Sequence, residues 1–204
     1  MGISTSILNL ENYKENLFKL ENSNTDYIHL DVIDGKFASN KKEYELKSVA
    51  KPLDIHFMVE DVKSYVDKYC HLNPVYMTFH IEAGNTLEYI DYIKNRGIKV
   101  GIAIKKDTAI EEILPYLDKI DLVLIMAVNI GMGGQSFDKK VIPKIERLIS
   151  LKDKYHYVIE VDGGINDESS EFVKMVDIMV SGVYIIKDDF YNIRIEQLKN
   201  KMKK

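Results

Sequence analysis

Eight short apolar runs, recurring about every 25 residues and separated by polar stretches of helical periodicity, predict an α/β protein with one parallel sheet. Closing all eight gives a single (β/α)8 TIM barrel over residues 1–204, a length at the lower limit for that fold. A doubly wound open sheet is the competing architecture. The runs are Ile3–Leu8, Tyr27–Val32, Leu53–Val59, Val75–Ile81, Ile98–Ile104, Leu122–Val128, Tyr157–Val161 and Ile178–Val180. They are rich in Val, Ile and Tyr and mostly too short for helices, so strands suit them better.

Between the runs, Tyr13, Leu17 and Leu20 fall on one helix face. So do Val62, Tyr65, Val66 and Tyr69, and likewise Val141, Ile145, Leu148 and Ile149. Gly97 stands where a C-terminal helix stop is expected. Thr108 and Glu111 have capping-box spacing and predict a helix start after the fifth run, with Pro115 ending or bending that helix early. The last helix is expected over Asn192–Lys203, and the basic end Lys199–Lys204 suits a helix C-terminus.

Composition bounds the partners. With 46% apolar and 29% charged residues the chain has an ordinary soluble make-up. A formal charge of −4 leaves no global basic field for nucleic acid or anionic lipid, so an anionic ligand must be held by local groups. Cys70 is the one cysteine, which excludes an intrachain disulfide and fits a reducing compartment. No signal-peptide pattern opens the sequence, and no run approaches the roughly 18 apolar residues of a membrane span. The expectation is a cytoplasmic protein with a small-molecule partner, no nucleic acid and no membrane.

The polar residues at the run ends carry the chemistry. His29 and Asp31 are two apart, so their side chains share a face of the second strand. His56 closes the third run and Asp162 the seventh. In a parallel barrel every strand's C-terminal end opens onto one rim, where active sites form. Two imidazoles and two carboxylates meeting there suit one divalent ion: Fe²⁺, Zn²⁺, Mn²⁺ or Co²⁺. Gly131, Gly133 and Gly134 follow the sixth run, Gly163 and Gly164 the seventh, and Gly182 the eighth. Such loops bring backbone amides close to an oxyanion and bind phosphate without side-chain charge.

Combined, the two features suggest abstraction of a proton beside a polarised ketone, through an enediolate. Asp31 and Asp162 come from strands far apart, so one can remove a proton and the other return one to the opposite face, inverting the centre. Met58 and Met126 end apolar runs near the rim and could cover a planar intermediate, although core packing would also explain them. Several polar residues read as structural. His80 and Glu82 share a face and read first as a structural pair, with support of the rim ligands as the alternative; Asp34-Gly35 reads as a turn, Cys70-His71 as a helix end, and His156 lies at the opposite barrel mouth. Lys105 and Lys106 read as solvated, with a Schiff-base role open in principle.

Taken together, Ser6-Ile-Leu8, His29-Leu-Asp-Val-Ile-Asp-Gly35, Asp54-Ile-His-Phe-Met58, Leu124-Ile-Met-Ala-Val-Asn129, Gly131-Met-Gly-Gly-Gln-Ser-Phe137 and Glu160–Asn166 resemble the ribulose-phosphate 3-epimerase family in order and spacing. The resemblance implies a (β/α)8 barrel with a divalent metal on His29, Asp31, His56 and Asp162. It implies Asp31 and Asp162 as the acid/base pair, Ser6 and His56 in contact with substrate, and phosphate on Gly131, Met132, Gly133, Gly134, Gly163, Gly164, Gly182 and Val183. The implied reaction interconverts ribulose 5-phosphate and xylulose 5-phosphate, and homo-oligomers are common in the family.

The chain departs from the family at Ile33, where a methionine is usual, at Phe37-Ala-Ser-Asn40, and at Lys105-Lys106 in place of Asn-Pro. It departs again at Ile130 in place of proline, at Met132 in place of phenylalanine, and at Val183, where a serine hydroxyl is lost. Three alternatives compete with the pentulose reading. They are an epimerase of a hexulose such as allulose 6-phosphate, a lysine-dependent aldolase on Lys105, and a phosphosugar-binding protein without catalysis.

Overall fold

Every strand pairs in parallel with its neighbours in sequence, and the eighth returns to the first, so the sheet closes on itself. The structure is a computed structural model that describes residues 1–202. The strands are β1 (Gly2–Ser6), β2 (Tyr27–Ile33), β3 (Leu53–Met58), β4 (Tyr76–His80), β5 (Lys99–Ile104), β6 (Leu122–Met126), β7 (Val158–Asp162) and β8 (Ile178–Ser181). All eight expected runs are strands, with ends moved by one or two residues. The open-sheet alternative is excluded by the β1–β8 ladder, which aligns Ser4 with Val180 and Thr5 with Ser181.

The helices are α1 (Tyr13–Glu21), α2 (Val62–Tyr69), α3 (Thr86–Lys94), α4 (Ile142–Leu151), α5 (Val183–Ile186) and α6 (Tyr191–Met202). The expected last helix starts one residue earlier than predicted, and Lys203 and Lys204, predicted at its end, lie outside the described residues. Among the described residues no helix is long and apolar enough to cross a membrane.

Three links carry no α-helix, which corrects the strict alternation. Residues 34–52 between β2 and β3 are irregular, and Tyr44 anchors this link in the core. Its ring meets Tyr13 edge-on with centroids 5.3 Å apart, and its backbone N–H donates to the Tyr69 hydroxyl at 2.8 Å. The helix predicted from Thr108 and Glu111 is instead two single turns of 3₁₀ helix, Ile110–Glu112 and Leu114–Tyr116. Thr108 does not cap; its hydroxyl donates to Glu82. The Lys144 ammonium binds the carbonyls of Lys105 and Lys106 at 3.2 and 2.6 Å, and also that of Thr108. Tertiary partners have taken the groups a helix start would use. The β7–β8 link likewise holds only the 3₁₀ turn Ser169–Phe172.

Alternation along the strands divides the interior into two layers. Ile28, Leu30, Val32, Ile55, Phe57, Phe79, Val123, Ile125, Ile159 and Val161 face outward under the helices and form the large continuous core. Full burial of each such side chain is worth roughly 1.5–3 kcal/mol. The inward layer differs. Leu122, Leu124 and Ile178 pack the lower end, but Ser4, His29, Asp54, Thr78 and Glu160 are buried there too. The helix–sheet core holds the fold, and this frees the barrel's inside for polar residues.

Candidate active site

Pairwise strand register brings the predicted polar residues together. Asp31 on β2 lies opposite His56 on β3, and Asp162 on β7 lies opposite Met126 on β6. His29, Asp31, His56 and Asp162 each offer a ligand atom within 4.8 Å of all the others. Asp31 sits at the centre. One of its oxygens, Oδ1, is 3.3 Å from His29 Nε2 and 3.1 Å from His56 Nδ1, while Oδ2 accepts from the Ser6 hydroxyl at 2.7 Å.

Each imidazole is held from behind. His29 Nδ1 lies 2.7 Å from Asp54 Oδ2, which also accepts from Ser4 at 3.0 Å. A carboxylate can only accept, so the Nδ1 proton is fixed toward Asp54 and Nε2 is aimed at the cluster. That Nε2 is buried and has no partner with hydrogen-bond geometry among the described residues. His56 Nε2 is 2.9 Å from His80 Nε2, and His80 Nδ1 is 3.0 Å from Glu82 Oε2. Glu82 is itself fixed by the Lys105 N–H at 3.0 Å and by the Thr108 hydroxyl. The His80–Glu82 pair forms as expected, and it follows the supporting alternative: it reaches the cluster through His56.

The run Asp31–His56–His80–Glu82 contains three contacts, and two neutral imidazoles bring only two ring protons to fill them. Burial lowers His80 to about 4 and lowers His56 as well, so both rings are neutral near pH 7. The two protons can fill the Glu82 and His80–His56 contacts, or the Asp31 and His56–His80 contacts. In the first arrangement His56 Nδ1 is a bare lone pair facing a carboxylate oxygen 3.1 Å away, and the two acceptors can share a positive charge between them. The donor set therefore fits a divalent cation.

The electrostatics of the acids diverge. Burial alone would raise Asp31, but His29 and His56 outweigh it and hold the carboxyl well below the usual range. Burial works against protonation of His29, yet Asp54 and Asp31 keep it well above the usual imidazole value. Asp162 is enclosed by protein yet keeps an opening to the pocket; burial and then the Asp31 charge push it up to about 7. Deeper in the barrel, burial and the Asp54 charge push Glu160 well above the carboxylate range, so it is a neutral acid beside the Asp54 ion.

Above the cluster opens a pocket of about 340 Å³. Its floor is Asp31, Asp162 and Ser6, its wall Met58 and Met126, and its far end the loops at Gly131–Gly134, Gly163-Gly164 and Gly182-Val183. Met132 and Val183 are exposed there, at 51% and 41%. The β6 loop is stitched by Gln135, whose amide donates to the carbonyls of Asn129 at 2.7 Å and Met132 at 2.8 Å. Ser169 Oγ takes the Gly164 carbonyl at 2.8 Å, and Ser181 Oγ takes that of Ile165 at 2.8 Å. Loop carbonyls are thus occupied, and the amides of Gly133, Gly134 and Gly164 join no loop hydrogen bond among the described residues. Gly164 is obligatory: φ is +68°, and a Cβ would lie 2.3 Å from the Phe137 nitrogen.

Every predicted site residue except the two histidines borders this pocket; His29 and His56 lie beneath it with no exposure. Ile33 is buried against Met58 and Ala38. Lys105 and Lys106 lie off the pocket, the first over the Phe37 ring and the second 3.6 Å from Asp138, which leaves the Schiff-base alternative without a site. Asp54 and Glu160 were missed as site residues, although Asp54/His56 and Glu160/Asp162 repeat the two-residue spacing that singled out His29/Asp31.

The family model for the Ribulose-phosphate 3 epimerase family matches residues 2–186. The chain is 35% identical over 189 residues to the ribulose-phosphate 3-epimerase of Helicobacter pylori, covering 87% of each. It is 37% identical over 164 residues to that of Bacillus subtilis, covering 76% of each. Among solved structures it resembles 3-hexulose-6-phosphate synthase from Salmonella typhimurium, with a TM-score of 0.66 at 12% identity over 99% of this chain and 98% of that one. Tryptophan synthase from Mycobacterium tuberculosis gives a TM-score of 0.70 at 8% identity, over 98% and 92%. Likeness at such low identity speaks to the barrel fold alone, whereas the sequence matches span nearly the whole molecule and contain the Asp31 and Asp162 motifs: the chain belongs to the ribulose-phosphate 3-epimerase family.

Proposed function

We propose that this chain interconverts D-ribulose 5-phosphate and D-xylulose 5-phosphate by moving the proton at C3 from one face of the sugar to the other. The observation that carries the reading is the meeting of Asp31 and Asp162 in one cluster beneath the glycine loops that line the pocket. Their environments push the two carboxyls apart, one well below the usual range and the other up to about 7. Such a split is how one site provides a base and an acid at the same pH.

In the direction from ribulose 5-phosphate, ionised Asp31 takes the C3 proton. The C–H bonding pair becomes the C2–C3 double bond of an enediolate, and the carbonyl pair moves onto O2. Protonated Asp162 then gives its proton to C3 from the opposite face, the O2 pair re-forms the carbonyl, and the configuration is inverted. In the reverse direction the two carboxyls exchange roles. A divalent ion held by His29, Asp31, His56 and Asp162 would supply Lewis-acid stabilisation of the developing oxyanion. Ser6 holds Asp31 by its 2.7 Å hydrogen bond. Met58 and Met126 shield the planar carbon skeleton from water, and the glycine amides hold the phosphate.

The test is exchange of the C3 hydrogen with D₂O, followed by NMR, together with coupled turnover of both pentulose phosphates. Asp31→Asn and Asp162→Asn are each expected to lose about 10²–10⁴-fold in kcat with an unchanged circular dichroism spectrum. Near-normal turnover in either variant would refute the two-carboxyl assignment.

A further inference from the structure

The far end of the pocket must hold a dianion in a chain of net charge −4, with two acidic residues already on the pocket floor. Backbone amides carry only partial charge. Among the described residues lining the pocket there is one cationic side chain, Lys187. It caps the C-terminal end of α5, four residues after Val183, so the two share a face of that turn. Val183 ties the same face to the β6 loop, since a Cβ on Gly134 would lie 3.9 Å from its Cγ2.

Among the described residues Lys187 has no carboxylate within salt-bridge distance, although its charge helps to lower Asp188. The two acids that follow it in sequence have other partners: Asp188 binds Arg194 at 2.9 Å and Asp189 binds Lys19 at 2.8 Å. Among the described residues the Lys187 ammonium makes no ion pair, and it lies 5.4 Å from the centroid of the Tyr184 ring. Tyr184 lines the pocket as well.

We infer that Lys187 is the cation that engages the substrate's phosphate, making it a specificity-determining residue for phosphorylated ketoses. It would supply the contact that the apolar side chain of Val183, beside it, cannot. The inference rests on the epimerase reading. A flexible, exposed ammonium gains little from a fixed carboxylate partner but more from a dianion caged by amides.

Steady-state kinetics on Lys187→Met and Lys187→Arg, with inorganic phosphate as competing ligand, test it. Lys187→Met is expected to raise KM for ribulose 5-phosphate about 10-fold with kcat within about 2-fold, and to raise the inhibition constant of phosphate by the same factor. Lys187→Arg should restore most of both. If Lys187→Met leaves KM and phosphate inhibition within about 2-fold of the parent, the inference is overturned. If the parent fails to turn over either pentulose phosphate, the epimerase reading falls instead. Calorimetric titration of parent and variant with inorganic phosphate then still decides the role of Lys187: weaker binding by Lys187→Met supports it, and equal binding overturns it.

Discussion

Removing Glu82 should loosen a cation that Glu82 never touches. The carboxylate lies two imidazoles away from Asp31 and outside the pocket, so Glu82→Ala leaves every substrate and cation contact in place. What it removes is the group that favours the His80 proton on Nδ1. Without it nothing at His80 opposes the reversed chain, in which His80 donates from Nε2 to His56 Nε2 and His56 Nδ1 is protonated toward Asp31. In the parent that reversal forfeits the Glu82 hydrogen bond to a charged group, worth about 1.5–3 kcal/mol. The cation must overcome the loss of that bias, so its affinity should fall about 10–100-fold. Glu82→Gln should lose less, since the amide oxygen can still accept from Nδ1. The assay is calorimetric titration of chelator-stripped protein with Zn²⁺ or Co²⁺, alongside the visible spectrum of the Co²⁺ form. Cation affinity within about 2-fold of the parent, with an unchanged spectrum, would refute the tautomer relay.

Three further outcomes follow from the same geometry. Exhaustive chelation should abolish C3 exchange while far-ultraviolet circular dichroism is retained, with Mn²⁺ or Co²⁺ restoring activity; full activity after chelation would remove the cation from the mechanism. Asp162 is raised to about 7 and acts as the acid on ribulose 5-phosphate, so kcat/KM for that substrate should fall as pH rises through about 7; a profile flat from pH 6 to 8 would contradict the raised Asp162. Gly164→Ala forces an L-residue to φ +68° with its Cβ against the Phe137 nitrogen. That should cost about 3 kcal/mol and lower Tm by roughly 6–12 °C by scanning calorimetry; a shift under about 2 °C would contradict this strain estimate.

The barrel was legible in the sequence because outward-facing Ile and Val residues made every strand an apolar run. The rim residues were legible for a related reason: His29, Asp31, His56 and Asp162 interrupt or end those runs at the side where barrel sites form. Asp54 and Glu160 bore the same signal one layer deeper, where an isolated acid inside an apolar run reads as an oddity until its partners are known. The local helix signal at Thr108 failed because Glu82 and Lys144, distant in sequence, claimed its hydroxyl and carbonyl. Spacing cannot report such competition. Lys187 was invisible for the opposite reason: a lysine after an apolar stretch is the commonest kind of surface residue, and only the path of α5 turns it toward the pocket.

The buried charges suggest why such a site can exist in a folded chain before any cation arrives. In the metal-free protein Asp31 and Asp54 are ionised, His29 keeps its extra proton, and Glu160 and, below about pH 7, Asp162 are neutral. A divalent ion on His29, Asp31, His56 and Asp162 requires His29 Nε2 to give up its proton, while Asp162 can keep one on its second oxygen for delivery to C3. One positive charge leaves as two enter, so the charge sealed inside the barrel changes by one unit rather than two, which lessens the charge-burial penalty of the empty site. Glu160 has the complementary part: kept neutral beside Asp54, it leaves that carboxylate its single negative charge for orienting His29.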